Sequence, residues 1–286
     1  SRDDFNRLQT NYPLMLDILG KSLFEQTANV DTTQFYGMML NYFSEPTLKA
    51  VYADALRIFA DGSDTLKQVA AKLAHNVKRL GELFPDMRLP AVYMHVAGFR
   101  ENILVADSIV SFSTDKYLGS DYYLYKNYFN SFRRRFMTPE HIASDCVKAW
   151  LRSEYPFTGN PDVLLDRMIY EGKIAYCQSL ICRDATICSL MSLTDVEYQW
   201  CIDNEKALWT MIIERGHLYT PDKMTTEKYF MTCPSTFISP LAPHRIGEYA
   251  GFRIVEAYMK QTGATCLQLM QTTDSQTVLT KAKYKP

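Results

Sequence analysis

Residues with the chemistry for catalysis or metal binding are few in this chain, and they are scattered. The five histidines (His75, His95, His141, His217 and His244) form no HxH, HxxxH or HExxH pair, so spacing brings no two imidazoles to one metal. Glycine-rich phosphate loops and the GxSxG nucleophile elbow are absent. None of the seven cysteines lies in a CxxC pair or in a known nucleophile signature. One constellation keeps the spacing of a metallopeptidase helix. Ser144, Asp145 and Lys148 stand at i, i+1 and i+4, where HExxH carries its first histidine, its water-activating glutamate and its second histidine. All three positions hold other residue types. Glu171 lies 23 residues beyond Lys148, where a later helix would bring a third ligand. His141 and Asp145, one turn apart, are a second pair with metal-binding types, against the plainer reading of a solvated first turn.

The elements that must position these residues are mostly helical. Leu14, Leu16, Ile18, Leu19 and Leu23 lie in one amphipathic stretch. Phe35, Met38, Met39, Tyr42 and Phe43 form an i, i+3, i+4, i+7, i+8 stripe. Leu66, Val69, Leu73, Val77, Leu80 and Phe84 repeat the helical period, with Ser63 or Asp64 as cap and Pro85 as stop. The pattern then changes. Residues 89–98 read as a strand ended by Gly98. Residues 102–107 and 109–115 read as further extended segments, with Val110, Phe112 and Thr114 alternating against Ser111 and Ser113. Helices return with Thr138 as N-cap and Pro139 at the first position, running to about Tyr155. Further helices are expected over 161–181, over 194–215 with Gly216 as stop, from Pro243-His244 to Gly263, and after Asp274. The 224–233 segment reads as short or irregular. Gly247 and Gly251, four residues apart, suit a close helix approach. The whole is expected to be one domain, 1–286, of α+β class: mostly helical with a small mixed sheet.

Three stretches carry a family resemblance: Tyr117-Leu-Gly-Ser-Asp-Tyr-Tyr, Tyr170-Glu-Gly-Lys-Ile-Ala-Tyr, and Pro243-His-Arg-Ile-Gly-Glu-Tyr-Ala-Gly-Phe-Arg-Ile-Val. With the closing Tyr284-Lys-Pro, they resemble the GldB family of gliding-motility lipoproteins, most clearly from about residue 90 onward. That family is similar to zincin-like peptidases with an HExxH helix and a later Glu-Gly helix. The resemblance implies a zincin-like scaffold over 86–286 behind a helical N-terminal part, 1–85. It also implies a lipid anchor upstream of Ser1 and residence on the periplasmic side of a bacterial cell envelope. Ser144, Asp145 and Lys148 replace the peptidase residues, and Glu171 alone keeps its type, so the expectation is a pseudo-peptidase without metal or cofactor. A carboxylate left behind by a lost cation is costly when buried. Lys148, Lys173 or Arg245 is therefore expected to supply the missing charge. His244, Arg245 and Tyr249 complete the candidate lining of the remnant cleft.

Composition bounds the partners. Lys and Arg (31) balance Asp and Glu (32), which argues against a general attraction to nucleic acid. The Arg133–Arg135 run, between Phe132 and Phe136, reads as a solvated helix face. No run of 18 apolar residues is present, so any membrane attachment is expected through the anchor. Cys182 and Cys188 flank a helix-to-loop junction where a local disulfide would close. The alternative is that most of the cysteines are buried thiols. The expected function is a non-catalytic envelope protein that binds a protein, peptide or glycan partner. The competing expectations are an atypical hydrolase using Asp145, Glu171 and His244, and a structural adaptor whose cleft is filled by side chains such as Trp150.

Overall fold

The structure is a computed structural model that describes residues 1–25, 31–234 and 236–286. It is helix-rich α+β, with one small mixed sheet. The chain forms two compact units. The first comprises Ser1–His75 and Arg88–Trp150, the second Asn76–Met87 and Leu151–Pro286.

The first unit opens with helices α1 (Arg2–Asn11), α2 (Pro13–Phe24), α3 (Thr32–Ser44) and α4 (Pro46–Ile58), and holds the first half of α5 (Asp64–Leu83). Each start has a chemical cause. Ser1 and Asp4 make a capping box, Asp31 accepts from the amides of Thr33 and Gln34, and Ser63 Oγ accepts from the Leu66 amide. Leu19 and Leu23 of α2 pack on Ala97, with Tyr42 and Phe43 of α3 against them. The sheet is β1 (Ala91–His95), β2 (Ile103–Ala106) and β3 (Ile109–Ser113), in the order β1-β3-β2, with β1 parallel and β2 antiparallel to β3. Val110 and Phe112 alternate with Ser111 and Ser113 in β3, and all five residues of the strand are buried. A central strand covered on both faces must satisfy its own hydroxyls. Ser111 Oγ does so with His95 Nδ1 at 2.8 Å, and Ser113 Oγ donates to Asp115. After short helices α6 (Tyr125–Tyr128) and α7 (Ser131–Arg134) comes α8 (Ile142–Glu154), preceded by a 3-10 turn over Pro139–His141. Thr138 does not cap this turn through its side chain. Its hydroxyl lies 3.0 Å from His141 Nδ1 instead.

The second unit is helical: α9 (Leu164–Ile181), α10 (Ile187–Leu190), α11 (Asp195–Asp203), α12 (Glu205–Glu214), α13 (Lys223–Lys228), α14 (Ile246–Thr262), α15 (Cys266–Gln271) and α16 (Ser275–Ala282). The single helix expected over 194–215 breaks at Asn204. The Asn204 side-chain amide donates to the Trp200 carbonyl at 2.8 Å, a local bond that competes with helix continuation. The core is the crossing of α9 and α14, with α16 against both. Met168, Ile169, Ile174 and Ala175 of α9 and Ile246, Ile254 and Val255 of α14 are all buried. Gly172 and Gly251 stand at the crossing, where a Cβ on either would overlap the backbone of the other helix. The glycine spacing in the sequence is thus read correctly at Gly251. Gly247 faces the Phe230 ring instead.

No Cys182–Cys188 disulfide forms; all seven cysteines are free thiols. Cys182 Sγ accepts from Asn76 Nδ2 at 3.3 Å, while the Cys188 thiol donates to Asp195 Oδ1 at 3.2 Å. Each sulfur has its own polar partner on another segment.

Candidate functional site

The candidate residues divide between the two units. Ser144, Asp145 and Lys148 lie on α8 in the first. Glu171, Lys173, His244, Arg245 and Tyr249 lie in the second.

On α8, Ser144 is buried and its hydroxyl donates back to the His141 carbonyl at 2.9 Å, a local bond within the helix start. Asp145 accepts from the phenol of the buried Tyr117 at 2.8 Å. Burial, reinforced by the Asp145 charge, raises the Tyr117 pKa far beyond the physiological range. Tyr117 therefore stays a donor, and Asp145 is held by it. Burial also lowers the His141 pKa, against the pull of Asp145 and Glu140. Lys148 is half-buried on the same helix.

In the second unit Glu171 projects from the middle of α9 and meets two guanidinium groups. The Arg152 guanidinium donates to Glu171 Oε2, and the Arg245 guanidinium lies 3.8 Å from the same oxygen. Arg245 also pairs with Glu248 at 2.7 Å, and the Glu248 side chain is fully buried. Burial works against the charge on Arg152, but the carboxylates of Glu171 and Glu248 outweigh it and raise its pKa. Two arginines and two glutamates therefore form one partly buried ion cluster. Arg245, one of the three cations expected beside Glu171, is there. Arg152 and Glu248 were not foreseen. Lys173 turns elsewhere: its ammonium donates to the Thr272 carbonyl, and burial lowers its pKa to about 8. It borders a cavity of about 40 Å³, also lined by Tyr155, Tyr170 and Met270, room for about one water molecule. His244 is buried. Arg245 N-caps α14 with a left-handed backbone, φ 54°, so its side chain leaves the chain at an angle that few L residues adopt.

Tyr249 belongs to a separate centre. Glu205 accepts from the Tyr249 phenol at 2.8 Å, from the Tyr284 phenol at 2.7 Å and from Arg253 Nε at 3.0 Å. This ties α12, α14 and the C-terminal segment to one carboxylate. Only Tyr249 of that group was legible as a site candidate.

A third polar hub, in the first unit, was missed altogether. The fully buried Asp115 accepts from the amides of Ala97 (3.1 Å) and Phe99 (2.6 Å) and from Ser113 Oγ. Lys116 donates to the Phe99 carbonyl at 2.9 Å and lies 4.4 Å from the Phe129 ring centre. The available signal was an Asp-Lys pair directly after an apolar strand. His95 beside this hub is pushed down to about 4 by burial, partly offset by Asp115. Unfolded histidine titrates near 6.5, so between those values the unfolded chain binds a proton that the folded chain refuses. Stability should therefore fall as the pH drops from 6.5, by about 2 kcal/mol at pH 5 from this group. Urea unfolding of the wild type and His95→Gln at pH 7 and 5 checks this. Equal acid losses in both proteins would refute it.

Among the described residues no three His, Cys, Asp or Glu side chains converge as a metal-ligand set, and no helix is long and apolar enough to cross a membrane. The family model described as "Gliding motility protein GldB" matches residues 1–286. No curated protein and no solved structure matches the chain.

Proposed function

This chain belongs to the GldB gliding-motility protein family, whose members are lipoproteins of the cell envelope, and we propose that it works there without catalysis, as a binding component. The proposal is a lipid-anchored, periplasm-facing protein on a degenerate zincin-like scaffold that engages an envelope protein, peptide or glycan of the gliding or secretion machinery. The observation that supports it is the state of Glu171. The one residue of peptidase type is held by Arg152 and Arg245. A carboxylate engaged by two guanidinium groups has its oxygens committed to them rather than presented to a metal or a water. Asp145, at the position of the water-activating glutamate, accepts from Tyr117 instead.

The test is functional. Glu171→Gln and Asp145→Asn keep shape and hydrogen-bonding capacity but abolish acid–base chemistry. In a gliding bacterium whose own family member is deleted, both variants should restore gliding to within about twofold of the wild type; one pKa-tuned acid or base is normally worth 10²–10⁴ in rate. Loss of gliding at normal envelope abundance of each variant would favour the hydrolase reading. So would stoichiometric zinc in the purified chain.

A further inference from the structure

We propose that the outer edge of strand β2 is a docking site that takes an extended, basic segment of a partner protein as an added strand. β2 is the last strand in the order β1-β3-β2. The Ser113 amide donates to the Asn102 carbonyl at 2.8 Å, so residues 102 and 113 are a hydrogen-bonded antiparallel pair. Continued along the register, Leu104 with Ser111 and Ala106 with Ile109 are pairs of the same kind. Ile103 and Val105 therefore direct their N–H and C=O groups away from β3, to the outer edge. Among the described residues no backbone hydrogen bond meets them there. The two-residue turn at Asp107 and Ser108, with Asp107 at φ 43°, closes β2 onto β3 and holds this edge in place. Natural sheets blunt an unpaired edge with a charge or a proline inside the strand. β2 reads Ile-Leu-Val-Ala, has neither, and all four residues stay partly exposed.

An open groove of about 540 Å³ lies between β2 and α2. Leu14 and Ile18 of α2 and Leu104 and Val105 of β2 line it, an apolar seat for alternate side chains of an added strand. Ser22 Oγ, also in the lining, is buried with no hydrogen-bond partner among the described residues. Charge selects the occupant. The charged lining is Asp17, Lys21, Glu101 and Asp107, three carboxylates against one ammonium. Lys21 is already paired with Asp17 at 2.7 Å, and the exposed Glu101 and Asp107 flank β2 at its two ends. A second copy paired antiparallel on this edge, Ile103 against Val105, would set Glu101 of each chain against Asp107 of the other. Like charges placed opposite each other destabilise such a pair. A strand with lysine or arginine at the same separation instead places a cation beside each acid. This narrows the partner in the binding reading to a peptide segment, but it rests on the first unit alone and does not depend on the state of Glu171.

The test titrates the full chain into fluorescein-labelled peptides Lys-X-Thr-X-Thr-X-Lys, with X as Val, Leu or Tyr, and follows fluorescence anisotropy. At least one should bind saturably, and hydrogen exchange over residues 103–106 should slow in the complex. Glutamate in place of both lysines should remove binding. N-methylation of alternate residues should abolish binding in one register and spare it in the other, because only every second N–H of an added strand faces β2. Glu101→Gln with Asp107→Asn should weaken binding about fivefold, as two exposed charge pairs are lost. Both side chains are exposed, and asparagine tolerates the left-handed turn at 107, so the fold is kept. No saturable binding by any of the peptides would overturn the proposal. So would equal losses in both methylation registers, which would mean a contact without strand pairing. A concentration-dependent dimer protected at 103–106 would overturn it too, by giving the edge to a second copy. None of these results bears on rescue of gliding by Glu171→Gln, so the two readings fail separately.

Discussion

Gly251→Ala should be the most damaging single-methyl change in this protein. The added Cβ would fall inside the contact radius of the Met168 carbonyl oxygen and carbon, which belong to the backbone of α9. A side chain can rotate away from a methyl group, whereas a helix carbonyl cannot. The helices must therefore separate, and the buried apolar residues of the α9–α14 crossing lose contact with each other. Overpacking typically costs 1–3 kcal/mol, and with backbone on the receiving side about 3 kcal/mol or more is expected here. Gly172→Ala should behave alike, since its Cβ would meet the backbone of Gly251 and Phe252. The control is Gly37→Ala on α3, where nothing lies within 4 Å and alanine should gain about 0.5–1 kcal/mol from helix propensity. Hydrogen exchange of α9 and α14 segments gives the readout for the second unit alone. Unchanged protection in Gly251→Ala would mean that the two helices do not cross as described.

That crossing shows what was readable in advance. Gly247 and Gly251 announce a close approach by spacing, and the helical period marks α9 and α14 within a few residues. Position along a helix is local information. What lay opposite each glycine was not readable, so Gly247, which faces Phe230, looked equivalent to Gly251. The same limit applies to β3. Strict alternation implies one wet face only if one face is uncovered, and covering is decided by the rest of the fold. The candidate site divides in the same way. Glu171 and Arg245 were identifiable because their types stand out in their segments. In the sequence Arg152 is one arginine near a helix end, and Glu248 one first-turn acid of the kind a helix dipole favours, so nothing local sets either apart. Their meaning comes from the fold, which brings residues 152, 171, 245 and 248 into one cluster. The Glu205 centre, joining residues 205, 249, 253 and 284, is non-local for the same reason.

Removing the Arg245 guanidinium should be nearly as costly as the glycine change, and for an electrostatic reason. Glu248 has no exposed side-chain surface, and Arg245 is the guanidinium at 2.7 Å from it. Taking away one partner of a buried pair leaves a charge that the interior solvates poorly, a loss of about 3–5 kcal/mol where burial is complete. The Arg245 side chain is 23% exposed, so water recovers part of this, and about 3 kcal/mol is the expected loss for Arg245→Ala. The left-handed backbone at this position supplies an internal control. Alanine keeps the conformational cost of that φ while glycine relieves it, so Arg245→Gly should lose about 1 kcal/mol less. Neutralising the stranded acid gives a second control. Arg245→Ala with Glu248→Gln should be more stable than the sum of the two single changes by at least about 1 kcal/mol, because the charge that Arg245 compensated is no longer there. Strict additivity, or a loss below about 1 kcal/mol in Arg245→Ala, would show that the arginine does not hold the acid. If the coupling is found, the cation at the heart of this scaffold is part of the covalent chain, and the carboxylates of the cluster are committed to binding it.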